Sequence, residues 1–548
     1  MNVNLIEALR ESSPTITTRL ERHENEIVIA LRRAAKDELN ISEALSPEEE
    51  KYARAIFDWV AEVGPQKVWE KIQPILANPD AFNEELFFDD DIDPGWSVSI
   101  RDLLKAADKR LLTKMAVLLM SYIFYDQFHY PQPETGVYDI SNSPFEKIKW
   151  VYRYWFNQLE VAEKGSGLEK HFASQDLNVL NELPTDSEGK VPVFRSVSIS
   201  CAGDLLAVDV LTPKNTPHLF DAITDFYSTA DIVSANLEST VDKDRPIGRT
   251  QEKGQPAKMN TSQAMFDKFC DKAKLDFFST ATNHAMDWGE QGILSTLNVL
   301  KKSGTQYSGT AASQAEQDKI VIFDKNGIKI ALLAYTFDLN GYKRPADKPY
   351  LANEVRFNDV SPAPDYSLIK KQVAAAKEMG AEWIIAYCHW GWEFEMYPHV
   401  NIVKAAHAVI DCGVDTILGN HPHVSQPAEL IPRDGKQDAL VIYAFGDFVS
   451  YHPESRNSKL AYTVKFNIGK ILNSAFLYGL EALPIYIVNE KLANGDFNCR
   501  IVKFFDVLKD PDAYGLTELE KSQLPHLRDK VWGGILSPLS GLRKELMP

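Results

Sequence analysis

The chain has 548 residues, too many for one ordinary hydrophobic core, so two or three domains are expected. Its 44% apolar and 25% charged content is that of a soluble globular protein, and its formal net charge of −18 speaks against a nucleic-acid surface and against adsorption to anionic lipid. An anionic substrate stays open, because a metal site brings its own positive charge.

The cysteines, Cys201, Cys270, Cys388, Cys412 and Cys499, are odd in number and form no CxxC pair. A reducing compartment without a disulfide framework is expected. The first residues are polar and lack the apolar core of a signal peptide; the longest candidate span, Met115 to Tyr125, is too short to cross a bilayer. The reading is a cytoplasmic protein with no membrane segment.

Residues 1–190 read as a helical accessory domain with its linker. Ser46-Pro47-Glu48-Glu49 is a helix start: an N-cap serine, proline at the first position, then acids near the positive end of the dipole. Ala53, Ile56, Trp59 and Val60 continue it at helical spacing. A second helix is expected from about Ile100 to Tyr125. A third, Pro144 to Glu163, carries Trp150, Tyr152, Trp155 and Phe156. No catalytic constellation occurs here. His129 reads as structural, and Asp89-Asp90-Asp91 as a solvated loop, because it lacks the alternating ligands and glycine of a calcium loop. The domain is expected to shape or cover a cleft, or to make a homo-oligomer contact. Turn formers from Gly165-Ser166-Gly167 to Gly189 mark the linker.

From Val191 the pattern becomes short apolar runs ending on polar residues. Phe194 to Ser200 leads to Gly203-Asp204, and Ile232 to Ala235 leads to Asn236-Leu237-Glu238. Phe277 to Ala281 leads to Asn283-His284, with Asp287 and Gly289 following. A helix then runs to Lys302, and a hairpin is expected around Asn326-Gly327. Trp383 to Tyr387 ends on His389-Trp390-Gly391, a helix pattern follows, and Val414 to Leu418 ends on Asn420-His421-Pro422-His423. Two apolar runs joined by one helix read as buried parallel strands with a crossover. Ala439 to Ala444 ends on Gly446-Asp447-Phe448, and Leu483 to Phe505 completes the strand-rich region. Residues 509–548 read as a polar tail with short helices.

The strand ends thus gather Asp204, Glu238, Asn283, His284, His389, His421 and His423 where open α/β sheets place their ligands. One such histidine is more often a satisfied core or surface residue; the same habit on several strands is hard to explain by packing. Carboxylates, an asparagine carbonyl and imidazoles form the mixed O/N donor set of zinc, manganese or iron. Cys388 points to the opposite face from His389, so no thiolate-rich zinc site is expected. Glu238 is the candidate bridge between two ions about 3.5–4 Å apart.

In order and rough spacing, Gly203-Asp204, Asn236-Leu237-Glu238, Asn283-His284 with Asp287 and Gly289, His389-Trp390-Gly391 with Glu393, His421-Pro422-His423 with Gln426, and Gly446-Asp447-Phe448 resemble the CapA-type poly-γ-glutamate capsule-synthesis family. That family looks like a branch of the calcineurin-like metallophosphoesterases, and the resemblance covers roughly residues 194–508 of a domain expected over residues 191–508. It implies a four-layer α/β/β/α sandwich with a dinuclear metal site. It implies Asp204, Glu238, Asn283, His389, His421 and His423 as ligands of two divalent ions, manganese, zinc or iron. His284 matches the non-ligand histidine that contacts substrate or donates a proton. Two departures stand out. The usual Asp-x-His of the first motif is Asp204-Leu205-Leu206, which leaves one metal a ligand short unless a group such as Asp209 serves; the CapA branch shares this. The usual Gly-Asn-Phe is Gly446-Asp447-Phe448, an added acid at the rim.

The resemblance implies a metal-dependent hydrolase of a phosphoester or of a peptide or poly-γ-glutamyl amide, with His284, Asp287 and Glu393 as the catalytic residues. Two other readings are a metal-assisted peptide Cα epimerase and a non-catalytic polyglutamate-handling module. The expected substrate is a small molecule, peptide or polyglutamate, with no nucleic-acid partner.

Overall fold

The computed structural model describes residues 5–36, 45, 47–78, 109–139, 143–156, 158–185, 188–252 and 255–542. Ser46, the Asp89–Asp91 loop and residues 100–108 of the second expected helix lie outside the described residues.

The chain divides into two compact units, Met1–Gln132 with Asp139–Leu159, and Pro133–Tyr138 with Glu160–Pro548. The division falls earlier than the turn-rich stretch suggests. Residues 165–185 pack into the second unit because they bury Leu168, Phe172, Leu177 and Leu180 between their turn formers.

In the first unit, the helix Ser13–Ala35 buries Ile16, Leu20, Ile27 and Leu31, one stripe at helical spacing, and packs on the helix Pro47–Val63. The helix expected from Pro144 begins there, capped by Ser143 accepting from the Glu146 N–H at 3.2 Å, and ends at Trp155. His129 holds the Tyr125 carbonyl at 2.9 Å and the Tyr152 hydroxyl at 2.9 Å. Burial lowers its pKa to about 4, so it is a neutral internal spacer.

The second unit holds two sheets. In one, the strands 232–237, 277–279 and 306–308 follow Arg195–Leu205 in parallel on one side. Leu460–Ile471, Ser474–Lys491 and Phe497–Lys503 continue it antiparallel on the other. The sequence reading passes over Leu460–Ile471, which lacks a polar end to mark it. In the second sheet, Ile328–Thr336, Trp383–His389, Thr416–Asn420 and Ala439–Ile442 are parallel neighbours. Val321–Lys325 and Ala428–Ile431 form its antiparallel edges. The Asn326-Gly327 turn has positive φ at both residues, 51° and 72°, as a two-residue hairpin requires.

The sheets face each other. The Ser234 and Tyr387 hydroxyls meet at 2.7 Å and the Phe277 and Tyr387 rings lie 5.9 Å apart. Outside the first sheet, Phe266, Phe269, Ile293, Leu297 and Leu300 of two helices pack over Val233, Ala235 and Phe278. Outside the second, the helices Ser367–Glu378 and Val400–Asp411 bury Ile369, Val373, Ile402 and Val409. The result is the expected four-layer α/β/β/α sandwich, with a helical N-terminal region. After Ile442 the chain crosses from one sheet to the other, and Asp447–Val449 joins the end of Arg195–Leu205 in parallel. Gly203 permits the crossing: a Cβ there would lie 1.8 Å from the Gly446 carbonyl oxygen.

Residues after 509 are more than a polar tail. Leu524, Leu527, Val531, Trp532, Ile535 and Leu539 are buried, so the short helices there are part of the second unit. Among the described residues, no helix is long and apolar enough to cross a membrane.

Candidate metal centre

The parallel strands deliver their polar ends to one place. Asp204 is the penultimate residue of its strand, Glu238 follows Leu237, Asn283 sits in the turn after Ser279, His389 ends its strand, and His421 and His423 follow Asn420. All six are at most 4% exposed. Asn236 links two of them: its Nδ2 donates to Asp204 Oδ1 at 2.7 Å and lies 3.2 Å from His389 Nδ1. His389 Nε2 lies 2.9 Å from Asn283 Oδ1 and 3.4 Å from Glu238 Oε1. His423 Nε2 lies 3.7 Å from Glu238 Oε1.

The His-Pro-His loop is conformationally strained. His421 has φ 99° and His423 φ 56°, the left-handed region that side chains with a Cβ rarely adopt. Each such residue costs on the order of 1–3 kcal/mol and persists only where its surroundings enforce it. Here the Asp204 carboxylate accepts the His421 backbone N–H at 3.1 Å, and the Pro422 carbonyl accepts the Phe394 N–H at 2.8 Å. The strain turns both imidazoles inward.

Donor atoms of Glu238, His389 and His421 lie within 4.8 Å of one another, as do those of Asp204, Glu238 and His423, and those of His423, Asp447 and His452. Glu238 belongs to the first two groups. Both its oxygens and both ring nitrogens of His421 have no hydrogen-bond partner. Leaving a buried carboxylate and imidazole unmatched is costly, and a cation is the partner that fits such an O/N donor set. The electrostatics agree. Burial lifts Asp204 to about 7 and Glu238 well above the carboxylate range, and it lowers His421 to about 3 and His389 well below the usual imidazole value. Burial also disfavours a charged His423, but Glu238, Asp447 and Glu393 together outweigh it and raise that ring. Bound divalent cations would reverse this penalty on the carboxylates.

Beside the ligand groups, His284 Nδ1 meets Asp287 Oδ2 at 2.7 Å, and Asp287 also accepts the Met259 N–H at 2.6 Å. The helix that follows begins at Gly289, and both residues lie in the turns before it. Asp287 therefore does not cap the helix. The Trp288 ring is approached by the cations of Arg245 and Lys258, at 5.3 and 4.9 Å from its centroid. Asn340, absent from the sequence reading, bridges Asn283 at 3.1 Å and His284 at 3.3 Å; its position after a strand in the second sheet gives no signal of its own. Glu393 is half-buried and near enough to favour the charged forms of His421 and His423.

Two expectations are corrected. Asp209 does not complete the first motif: it pairs with Arg249 at 3.2 Å and is 29% exposed. Asp447 is not at the rim: it is 1% exposed and its Oδ1 lies 2.8 Å from His423 Nδ1. His452, which the sequence reading does not single out, lies 3.4 Å from Asp447 Oδ2.

Residues 198–452 match the family described as "Bacterial capsule synthesis protein PGA_cap". Over that stretch the chain is similar to the capsule-synthesis family that the order of its motifs resembles. It is 27% identical over 258 residues to "PGA biosynthesis protein CapA" of Bacillus subtilis (strain 168), covering 46% of this chain and 63% of that one. It is 25% identical over 263 residues to "Capsule biosynthesis protein CapA" of Bacillus anthracis, covering 46% and 59%. The chain thus spans less than two thirds of the length of these curated relatives. Among solved structures, it is similar to the calcineurin-like phosphoesterase YfkN of Bacillus subtilis, at 15% identity and a TM-score of 0.30, covering 53% of this chain and 91% of that one.

Proposed function

We propose that the second unit is a metal-dependent hydrolase of the CapA type that cleaves a poly-γ-glutamyl or related peptide amide through an activated water. The observation that carries this is Glu238: one buried carboxylate, with no hydrogen-bond partner, shared by two groups of ligand atoms. Divalent cations held there would lower the pKa of water to near neutrality and polarise the scissile carbonyl.

The protein's own residues supply the rest. Glu238, Asn283, His389 and His421 would hold one ion, and Asp204, Glu238 and His423 would contribute to the other. His284, with Nδ1 on Asp287, keeps Nε2 for the leaving group and hands it a proton. Asp287 fixes the tautomer and is itself fixed by the Met259 N–H. Glu393 stands at the half-buried edge, where it orients substrate. The motif resemblance to poly-γ-glutamate capsule synthesis, in keeping with the names of the two Bacillus relatives as PGA and capsule biosynthesis proteins, favours a polyglutamate over a phosphoester.

The test is elemental analysis of the purified protein followed by an assay on poly-γ-glutamate, γ-glutamyl peptides and an aryl phosphodiester. Bound transition metal with amide cleavage is expected. Protein that binds no manganese, zinc or iron, or that turns over only the phosphodiester, overturns the proposal. A chiral amino-acid assay of the product separates cleavage from epimerisation.

A further inference from the structure

We propose that Asp447 and His452 are metal ligands that complete the ion site left short by the leucine of the first motif. The inference rests on the metal centre proposed above and deepens it.

The metallophosphoesterase pattern places a histidine where this chain has Leu206. Leu206 is 2% exposed and packs with Val208, Ala257 and Met259, an apolar cluster that offers no donor. Its backbone N–H is taken by the Val449 carbonyl at 2.8 Å. That contact is the key to the replacement. Beside Leu206, Asp447–Val449 runs parallel to the end of Arg195–Leu205, with Asp447 in register with Asp204. A second carboxylate is thereby set beside the first-motif aspartate.

The donors converge. Asp447 Oδ1 lies 2.8 Å from His423 Nδ1, and Asp204 Oδ2 lies 4.0 Å from the same nitrogen. Asp447 Oδ2 accepts no hydrogen bond and lies 3.4 Å from His452 Nε2. The His423 and His452 rings are 4.9 Å apart. Asp447 and His423 are 1% and 4% exposed and His452 is 9% exposed, so water does not solvate these groups freely. A buried carboxylate between two imidazoles, beside another carboxylate, suits a borderline transition ion.

The loop that carries His452 is braced as a ligand loop must be. The Ser450 carbonyl accepts from Asn489 at 3.2 Å, and Ser455 and Ser458 hydroxyls meet at 2.6 Å. Arg456, Asn457 and His526 all bond Glu160, at 2.5, 2.7 and 2.7 Å. Such outer contacts fix a donor's direction before the ion arrives.

A competing account makes Asp447 only the orienting partner of His423, with His452 behind it. The experiment separates the two. Wild-type protein and the Asp447→Asn/His452→Gln double variant are loaded with excess manganese, desalted and analysed for metal. The expected result is two ions in wild type and one in the variant, the retained ion being the one at Asn283, His389 and His421. Two ions in both overturns the roles of Asp447 and His452 and leaves the metal centre standing; no ion in wild type overturns both. A second measurement needs no variant. In cobalt-substituted wild-type protein carrying 15N-labelled histidine, four metal-shifted histidine ring signals are expected, from His389, His421, His423 and His452. Three signals, assigned without His452, overturn the proposal.

Discussion

The two halves of the proposed metal centre meet at Glu238. Asn283, His389 and His421 come from three separate strand ends and the turns that follow them, three independent deliveries to one point. Asp204 and His423 also come from strand ends, but Asp447 and His452, placed beside them, depend on a chain crossing between sheets and on a braced loop. The first half is local geometry repeated; the second is assembled by tertiary contacts. Parallel strands with polar ends are therefore enough to announce a site but not to complete it.

The largest effect should come from the shared residue. Glu238→Ala removes the carboxylate common to both groups, and elemental analysis should find both ions lost while circular dichroism stays that of the folded protein. One full equivalent retained would mean that the halves bind independently and that Glu238 is not the bridge.

His284→Asn acts on neither half. It should keep both ions and the thermal midpoint but lower turnover about 10²–10⁴-fold, the usual cost of a lost general acid or base. Turnover equal to wild type, with metal retained, would leave Glu393 as the proton donor to test.

The bracing of the second half can be titrated. Burial disfavours the Glu160 carboxylate, but His526, Arg456 and Asn457 outweigh it and hold its pKa down to about 2. A carboxylate depressed in the folded state adds stability that is fully present above its unfolded pKa of about 4.5 and is lost as pH falls towards 2. From that difference, Glu160→Gln should destabilise the protein by roughly 3 kcal/mol at pH 7. The gap between wild type and variant should close between pH 4.5 and 2. A gap independent of pH would show that packing, and not charge, carries the contact.

These contrasts also explain what the sequence disclosed. His389 and His421 were legible because an apolar run fixes a strand, alternation fixes a face, and the run's end fixes a position. The order of the motifs then pointed to the family resemblance and to the sandwich. Asp447 was visible as a departure, yet its depth depends on the crossing at Gly446, which no local pattern encodes. His452 sits in an irregular loop, so nothing in its neighbours marks it. The boundary between units slipped from Leu159 towards 190 because turn formers suggest a linker even where Phe172 and Leu177 anchor the segment in a core. Ser474–Lys491 was half seen, since its long antiparallel partner has no polar terminus to set it apart.

The smallest expected effect is the sharpest on one point, the identity of the replacement ligand. Asp209 follows the first motif closely enough to be the obvious substitute for its missing histidine. Its carboxylate instead faces Arg249 at 3.2 Å, and both side chains are partly exposed, at 29% and 24%. A pair of that kind contributes about 0–1 kcal/mol, because water screens it and two flexible side chains must be held. Asp209 also has φ 56°, a conformation that asparagine tolerates as well as aspartate does. Asp209→Asn therefore removes the charge without forcing the backbone to move. We expect both ions to remain and the thermal midpoint to shift only slightly, with manganese affinity unchanged in a competition against a chelator. If the variant loses one ion, Asp209 swings inward when metal binds, and the second half of the centre is built from the loop after Asp204 and not from the crossing at Asp447.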